Sequence, residues 1–356
     1  MNIDLSNFIC SVPFSSLEIH EKTRSLCCGS WLLKYLKNDV PLSELWNSEE
    51  AKEIRKSVSD GSYKFCSKDQ CPYLASLINL KGVGNFRPIY PKNELPKHII
   101  ENTDFTTGEM SIGPKIVHFS FDRTCNYKCP SCRIETIVRG KKEIIEITAT
   151  IEEIENIFSK DIVDMYITAS GDPFVSHSYR TYLQNFNPEK YPKLDNIHLF
   201  TNASLWNEKM WDSMKGVHKY VKSCEISIDA GTKETYENIT RLGGNWDNLI
   251  QNLKFISTIP KLKNVKTSFV VQSSNYKEMS LFLDLMKSIF KNKAQIFFGK
   301  INNWGTFDEG TYKLLKIWDP SHPEHLDFLN EFNKVYGDPQ VFHNLHEFIS
   351  SKKTII

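Results

Sequence analysis

The sequence lacks long hydrophobic runs: no stretch of about 18 apolar residues could span a bilayer, and no charged-then-apolar export segment occurs in Met1–Ser30. It also lacks an excess of charge, because 44 Lys and Arg residues are balanced by 43 Asp and Glu residues. This balance gives no electrostatic reason to expect a nucleic-acid or anionic membrane partner. We therefore expect a globular protein of the cytoplasm, with no nucleic acid and no membrane among its partners.

Cysteine, by contrast, is plentiful, with nine residues in a chain of 356. Disulfides are rare in the reducing cytoplasm, and an odd number of cysteines fits complete disulfide pairing poorly. The cysteines therefore indicate metal or redox chemistry.

Three of them, Cys125, Cys129 and Cys132, form a C-x3-C-x2-C pattern in a polar, Pro-containing segment. Three thiolates at this spacing can hold three irons of a 4Fe–4S cluster and leave the fourth iron open for a ligand. A structural zinc site needs four ligands, and the nearest candidates for the fourth, His118 and Cys224, lie on predicted strands. The pattern therefore favours an iron–sulfur cluster.

The spacing resembles the signature of the radical S-adenosylmethionine (SAM) superfamily. The resemblance implies that the open iron binds SAM, and that one electron breaks the sulfonium bond to release a 5′-deoxyadenosyl radical. A flavodoxin- or ferredoxin-type reductant is expected to supply the electron. The residue before the third cysteine is usually aromatic in that family but is Ser131 here. We therefore expect Tyr127 to cover the adenine.

From Lys115 onward, short apolar runs alternate with helical patterns, which predicts parallel strands joined by right-handed crossovers. The predicted strands are Lys115–Phe121, Met165–Ala169, Asn196–Thr201, Ser223–Asp229, Lys266–Gln272 and Ala294–Ile301. Six such units are too few for a full barrel. The fold class is therefore α/β, with an open partial (β/α)6 barrel, as the resemblance also implies. The site is expected at the carboxyl ends of the strands.

The region before the barrel shows little strand periodicity and is predicted to be loop-rich. One clear helix is predicted at Asn47 to Asp60, with Asn47 as its N-cap. Apolar positions in the tail, including Phe342 and Phe348, predict helices packed on the barrel. The predicted domains are an auxiliary region at 1–85, a connector at 86–114, the partial barrel at 115–305 and a C-terminal helical extension at 306–356.

A second cysteine set lies in the N-terminal region. Its spacing resembles the auxiliary-cluster modules of SPASM and twitch radical SAM enzymes, although those modules normally follow the barrel. The resemblance implies one further 4Fe–4S cluster, and a zinc-stabilised cap is the alternative. The expected ligands are Cys10, Cys27 (or Cys28), Cys66 and Cys71.

Polar residues stand at the ends of the predicted strands. Ser170-Gly171-Asp172-Pro173 resembles the family's Gly-Gly-Glu-Pro element, which receives the SAM amino group; an acid there can accept hydrogen bonds from an ammonium. By the same resemblance, the remaining candidates would meet the ribose or the SAM carboxylate, whereas turn or capping roles are the alternative. These candidates are Thr201, Asn202, Ser227, Asp229 and Arg241.

Residues after strands five and six would face a substrate or form a solvated loop. They are Gln272, Lys300, Asn302, Asn303 and Trp304. Cys224 is predicted to be a core thiol, since it lies near the start of its strand. Enzymes resembling this one oxidise or epimerise peptides, sugars or aminocyclitols. The chain shows no separate leader-peptide module, which weakens the peptide alternative. The competing hypotheses are a non-catalytic iron–sulfur or zinc protein (an electron carrier or scaffold), and radical SAM group transfer onto a spare thiol, Cys28 or Cys224.

Overall fold

The computed structural model describes residues 3–81 and 87–345. The chain divides into two compact units. Unit 1 consists of Met1–Asp122, Lys141–Ala169 and Asn187–Asn196, and unit 2 of Arg123–Gly140, Ser170–Phe186 and Ile197–Ile356. This division cuts across the predicted domain boundaries, which stay predictions. Residue 86 of the predicted connector and Phe348 of the tail lie outside the described residues.

Unit 1 combines short antiparallel pairs with parallel strands. Its strands are β1 Phe8–Cys10, β2 Ser16–His20, β3 Arg24–Ser25, β4 Ile89–Pro91, β5 Thr103–Asp104, β6 Glu109–Met110, β7 Ile116–Ser120 and β8 Asp164–Ile167. Its helices are α1 Leu42–Leu45, α2 Glu49–Ser59, α3 Pro72–Asn79, α4 Lys97–Asn102 and α5 Lys141–Phe158. Strand β7 pairs in parallel with β8, whereas β1 pairs with β4, β2 with β3, and β5 with β6, each antiparallel.

The N-terminal region is more regular than its sequence predicted. Strand β2 pairs in parallel with β7, with Glu18 opposite His118. Its alternation of buried Leu17 and Ile19 with half-buried neighbours is a strand pattern, but it spans only five residues. The region predicted to be loop-rich therefore also contains short strands.

Helix α2 begins one residue later than predicted. Ser48, not Asn47, is the N-cap, and its side chain accepts a hydrogen bond from the amide of Ala51. The side-chain amide of Asn47 instead donates to the carbonyl of Met110 and accepts from the backbone amide of the same residue. It also accepts a hydrogen bond from the guanidinium of Arg55. Arg55 is fully buried and also donates to three backbone carbonyls. Asn47 therefore fixes this buried guanidinium instead of capping the helix.

Unit 2 is built from parallel strands with helices between them. Its strands are β9 Asn196–Thr201 (in unit 2 from Ile197 onward), β10 Val221–Ser227, β11 Asn264–Val271, β12 Ala294–Lys300 and β13 Val341–His343. Its α-helices are α6 His177–Gln184, α7 Glu208–Asp212, α8 Lys233–Thr235, α9 Trp246–Thr258, α10 Met279–Phe290, α11 Glu309–Leu315 and α12 His325–Val335. Each strand from β9 to β12 pairs in parallel with the next.

The apolar residues of these elements explain why they form. In α10, Phe282, Leu283 and Met286 are buried at helical spacing, and Phe282 contacts Phe269 of β11 with ring centroids 5.1 Å apart. The six predicted strands correspond to β7–β12, with ends shifted by at most a few residues. The alternating strands and helices fit the predicted partial barrel.

The C-terminal extension is helical only in part. Helices α11 and α12 are present, but Val341–His343 forms β13, which pairs with β12 so that Phe342 lies opposite Phe297. A β-branched residue and an aromatic residue favour a strand where a neighbouring strand offers a partner. The prediction of helix at this position was therefore wrong. Among the described residues, no helix has both the length and the apolar character needed to cross a membrane.

Candidate active site

The three clustered cysteines lie in one loop of unit 2, residues 123–140. The amide of Cys125 donates to the carbonyl of Ile137 (3.0 Å), and the amide of Cys132 donates to the carbonyl of Cys129 (2.9 Å). Cys125 and Cys129 are buried, whereas Cys132 is exposed. The loop thus has a fixed backbone, and one of its three thiols is open to solvent.

Each thiol of this loop is contacted by a nitrogen donor from a different side chain. Arg241 donates from Nη1 to Cys129 Sγ (3.5 Å), and Arg133 donates from Nη2 to Cys132 Sγ (3.4 Å). Asn202 donates from Nδ2 to Cys125 Sγ (3.7 Å). Such contacts stabilise a sulfur that carries negative charge, as a metal-bound thiolate does.

Burial disfavours the thiolate form of the two inner cysteines. It raises the pKa of Cys125 to about 11, with Asp172 adding to the rise and Arg133 opposing it. Burial likewise raises the pKa of Cys129, and Arg241 opposes that rise. Metal binding would therefore release protons from this loop.

The residues of the loop fit a three-cysteine 4Fe–4S cluster. Three thiols in one loop would supply its three ligands, and the nitrogen donor at each sulfur would stabilise the negative charge there. Within residues 3–81 and 87–345, no three or more His, Cys, Asp or Glu side chains are close enough as they stand to hold a metal ion.

Asp172, predicted to accept hydrogen bonds from the SAM ammonium, is only 1% exposed and is engaged inside unit 2. Its Oδ2 accepts from Thr201 Oγ1 (2.7 Å) and from the amide of Asn202 (2.8 Å), and its Oδ1 accepts from the amide of Phe174 (3.0 Å). Burial raises the pKa of this carboxyl, while these hydrogen bonds lower it. In this structure Asp172 fixes the end of β9.

The Thr201-Asn202 segment is held tightly as a result. The Asn202 side chain donates to Asn126 Oδ1 (3.0 Å) in the cysteine loop and accepts from the amide of Ser204 (2.8 Å). Ala203 follows with a φ of 60°, a left-handed conformation unusual for a residue with a Cβ. Asn252 of α9 donates to the carbonyl of Ala203 and helps to fix this turn.

Asp229 and Arg241 form a buried ion pair, with Arg241 Nη2 2.6 Å from Asp229 Oδ2. Asp229 has a φ of 60° and accepts at Oδ1 from the amide of Val270 (2.7 Å). Burial opposes the charge on Arg241, but Asp229 and the Cys129 thiol outweigh it and raise the pKa of the guanidinium. Arg241 thus connects the end of β10 to the cysteine loop.

Tyr127 and Ser227 occupy different surroundings. Tyr127 is 2% exposed, and its hydroxyl lies 3.1 Å from the hydroxyl of Tyr236. Ser227 accepts a hydrogen bond from Ser268 across β10 and β11 (3.4 Å). A contact of Tyr127 with adenine and of Ser227 with ribose stay predictions.

The residues expected on the substrate side divide into two groups. Gln272 is buried, and its backbone amide donates to Asn275 Oδ1 (2.9 Å). Asn303 accepts from three successive amides, those of residues 305–307, and Trp304 is largely exposed. Lys300 Nζ lies 5.3 Å from the ring centroid of Trp318. The hydrogen bonds of Asn303 match the solvated-loop alternative.

The second cysteine set lies in unit 1 and its thiols interact. Burial raises the pKa of Cys10 to about 12, and the thiols of Cys66 and Cys71 add to the rise. Burial also raises the pKa of Cys27, with Cys10 and Cys71 contributing. That these four cysteines act together as ligands of one cluster stays a prediction.

The two remaining cysteines differ. Cys28 also has a raised pKa, from burial first and then from Glu18 and Cys71. Cys224 is completely buried on β10, so its prediction as a core thiol agrees with the structure. All nine cysteines are free thiols.

Sequence reasoning missed three residues of the site. Arg133 is 7% exposed and donates to the carbonyls of Ser170 (2.7 Å) and Arg123 (2.8 Å) as well as to Cys132. Asn126 and Asn275 connect loops through their amides. The position of Arg133 next to the third cysteine was an available signal, whereas the asparagines gave none because their partners are distant in sequence.

Residues 119–285 match the family model of the radical SAM superfamily, so this part of the chain is a radical SAM domain. A search of the curated proteins found no match.

The solved structures that are similar to this chain include the following two. One is described as "Structure of TYW1 with a lysine-pyruvate adduct bound". It has 14% sequence identity and a TM-score of 0.35, and the match covers 63% of this chain and 72% of the TYW1 chain. The other is described as "Crystal structure of BtrN in complex with AdoMet and 2-DOIA". It has 12% sequence identity and a TM-score of 0.23, and the match covers 57% of this chain and 87% of the BtrN chain. At these values neither assigns a substrate to this chain.

Proposed function

We propose that this protein is a radical SAM enzyme that abstracts a hydrogen atom from an unactivated C–H bond of its substrate. The observation that carries the proposal is the loop of Cys125, Cys129 and Cys132, in which each thiol is contacted by its own nitrogen donor. The match of residues 119–285 to the superfamily supports an enzyme with a 4Fe–4S cluster and SAM as cofactors.

When bound, the cluster and SAM supply a 5′-deoxyadenosyl radical. The chain binds and orients them. Arg133, Asn202 and Arg241 donate to the three sulfurs, and Asp172 holds the Thr201-Asn202 turn in place. The proposed SAM contacts fall into three groups. Ser170, Gly171, Asp172 and Pro173 would meet the amino group, and Tyr127 would meet the adenine. The residues proposed to meet the ribose or the carboxylate are Thr201, Asn202, Ser227, Asp229 and Arg241.

We further propose that the cysteines of unit 1 hold an auxiliary 4Fe–4S cluster in a SPASM- or twitch-like site. The electrostatic interactions of Cys10 with the thiols of Cys66 and Cys71, and of Cys27 with those of Cys10 and Cys71, support it. Cys27 is the proposed fourth ligand, with Cys28 as the alternative. A fully ligated cluster passes electrons. A cluster held there would accept an electron from the substrate radical, which with loss of a proton gives an oxidised product, or would supply an electron, which with uptake of a proton gives an epimer.

The proposed substrate is a peptide, a sugar or an aminocyclitol. A cytoplasmic flavodoxin or ferredoxin would supply the electron for SAM cleavage. A zinc site in place of the auxiliary cluster is the second candidate, because four thiols also suit zinc.

The test is anaerobic reconstitution followed by iron, sulfide and zinc counting and a SAM-plus-dithionite assay. Wild type should hold about eight irons and form 5′-deoxyadenosine. The Cys125→Ala/Cys129→Ala/Cys132→Ala protein should hold about four irons and form none. The Cys10→Ala/Cys66→Ala/Cys71→Ala protein should also hold about four, whereas Cys28→Ala should match wild type.

Different failures separate the parts of the proposal. About four irons plus zinc in wild type, with SAM cleavage retained, would keep the enzyme and remove the auxiliary cluster. No SAM cleavage by a protein with an intact, reduced first cluster would favour an electron carrier or scaffold.

A further inference from the structure

Unit 1 contains a cavity of about 440 Å³ that is open to solvent. Sites for small organic molecules usually have volumes of about 300 to 1,000 Å³. The walls of this cavity come from β1, from the end of α2, from the segment after β4, and from α4 with the residues that follow it. The cavity is therefore large enough for a small ligand, and several elements of one unit hold its walls.

Most of the cavity wall is apolar. Ile9 and Leu95 contribute to it and are buried. Ile100 and Phe105 also line the cavity, but they are 50% and 36% exposed. The ring of Phe105 is held by Phe14, with ring centroids 6.0 Å apart. An apolar ligand would cover the two exposed side chains, and removing their surface from water is favourable.

Two lysines line the same cavity, Lys56 on α2 and Lys92 directly after β4. Both are exposed, and within residues 3–81 and 87–345 neither forms an ion pair with a carboxylate. By contrast, Lys52 on the same helix as Lys56 pairs with Glu49 (2.6 Å). Two ammonium groups are therefore available to an anion in this cavity.

Two carboxylates near the lysines have hydrogen-bond donors of their own. Asp60 also lines the cavity, and its Oδ1 accepts from the amide of Ser62 (2.8 Å). Asp4 interacts electrostatically with Lys92, and its Oδ1 accepts from the amide of Ser6 (3.0 Å). The cavity therefore favours an anion of single charge, because Asp60 would repel a dianion more strongly.

We propose that this cavity is a binding site for a small hydrophobic carboxylic acid in its anionic form. Lys56 and Lys92 donate hydrogen bonds to the carboxylate. Ile100 and Phe105 cover the apolar body of the ligand. The inference goes beyond the proposed function, because none of the residues that carry it is a cysteine or a proposed SAM contact.

The test is a ligand-observed NMR titration of the full-length, reconstituted protein. The probe is 4-phenylbutyrate. The matched neutral ligand is 4-phenyl-1-butanol, and 4-phenylbutylamine carries the opposite charge on the same apolar body. Wild type should bind the acid about tenfold more tightly than the alcohol, and it should bind the amine least.

Substitutions in the cavity wall locate the binding. Lys56→Met and Lys92→Met should each weaken binding of the acid about fivefold and leave binding of the alcohol nearly unchanged, because only the acid pairs with an ammonium. Ile100→Ala should weaken both ligands about threefold, because they share the apolar body. All three side chains are exposed, so the fold should tolerate each change, and circular dichroism checks this.

Lys142→Met is the matched control. Lys142 is an exposed helical lysine of unit 1, on α5, and it is not part of the cavity wall. Its replacement changes the net charge of the protein by the same amount as each cavity variant. The affinities for the acid, the alcohol and the amine should all stay at their wild-type values.

Three results of the titration would overturn the inference: no binding of 4-phenylbutyrate by wild type, tighter binding of the amine than of the acid, or wild-type affinity for the acid in both Lys56→Met and Lys92→Met. Tighter binding of an acidic peptide, acetyl-Glu-Phe-Glu-Leu-Glu amide, than of 4-phenylbutyrate would also overturn it, because the cavity would then be part of a peptide site.

Discussion

At the scale of single residues, the cysteine loop is surrounded by donors aimed at its sulfurs. Arg133, Asn202 and Arg241 come from different segments of unit 2, yet each meets a different thiol. Hydrogen bonds to cluster sulfurs stabilise the reduced, more negative state and so raise the reduction potential. These side chains therefore set how easily the proposed first cluster accepts its electron.

Replacing Arg133 by Met tests this role. The variant loses the donor to Cys132, and the reduction potential of the first cluster should fall by about 40 mV, which corresponds to one net hydrogen bond in a one-electron couple. EPR-monitored redox titration of the reconstituted protein measures the change. Arg180→Met is the control, because Arg180 donates to the carbonyl of Phe174 and not to a thiol. An unchanged potential in Arg133→Met would contradict the role.

At the scale of elements, most helices end in conformations that suit their residues, but α10 does not. Its C-cap residue, Lys291, has a φ of 53° and a ψ of −127°, a region essentially restricted to glycine. The lysine side chain is exposed, so substitution there removes no core packing. The strain is therefore local to the backbone.

We expect Lys291→Gly to stabilise unit 2. Relief of the backbone strain should exceed the added entropy of glycine in the unfolded chain, for a net gain of about 1 kcal/mol and about 2 °C in the unfolding midpoint. Thermal unfolding followed by circular dichroism measures it. Lys291→Ala keeps a Cβ and should give no gain; an equal gain in both variants would show that the lysine side chain, not the backbone, is responsible.

The elements predicted from sequence were those with long local patterns. Strand β9 and helix α9 have buried apolar residues at regular spacing, so their positions followed from the residues themselves. Strands β2 and β13 were missed because each is short and depends on a partner strand distant in sequence. Pairing of this kind is a tertiary property that a local pattern does not contain.

The candidate site shows the same limit. The spacing of the cysteines predicted the loop, but the partners of Asp172 and Arg241 depend on contacts across many residues. Asp172 was expected to present its carboxylate to a ligand, whereas Thr201 and Asn202 occupy it in this structure. Motif resemblance placed these residues near the site but could not show which atoms are already engaged.

At the scale of the whole molecule, the two kinds of cysteine chemistry are distributed between the two units. Unit 2 contains the cysteine loop and the strand-end residues proposed to bind SAM, and unit 1 contains the cysteines proposed to hold the auxiliary cluster. Each unit thus supplies a complete set of the thiols that its proposed cluster needs. The central claim concerns unit 2: a cluster held by three cysteines whose open iron binds SAM.

The most direct measurement is the EPR spectrum of the reduced, reconstituted protein with and without SAM. To isolate the first cluster, the Cys10→Ala/Cys66→Ala/Cys71→Ala background is used, with Cys28→Ala in the same background as the control. The account predicts a 4Fe–4S signal whose g values shift when SAM is added, because SAM becomes a ligand of the open iron. A 4Fe–4S signal that SAM leaves unchanged would contradict the account.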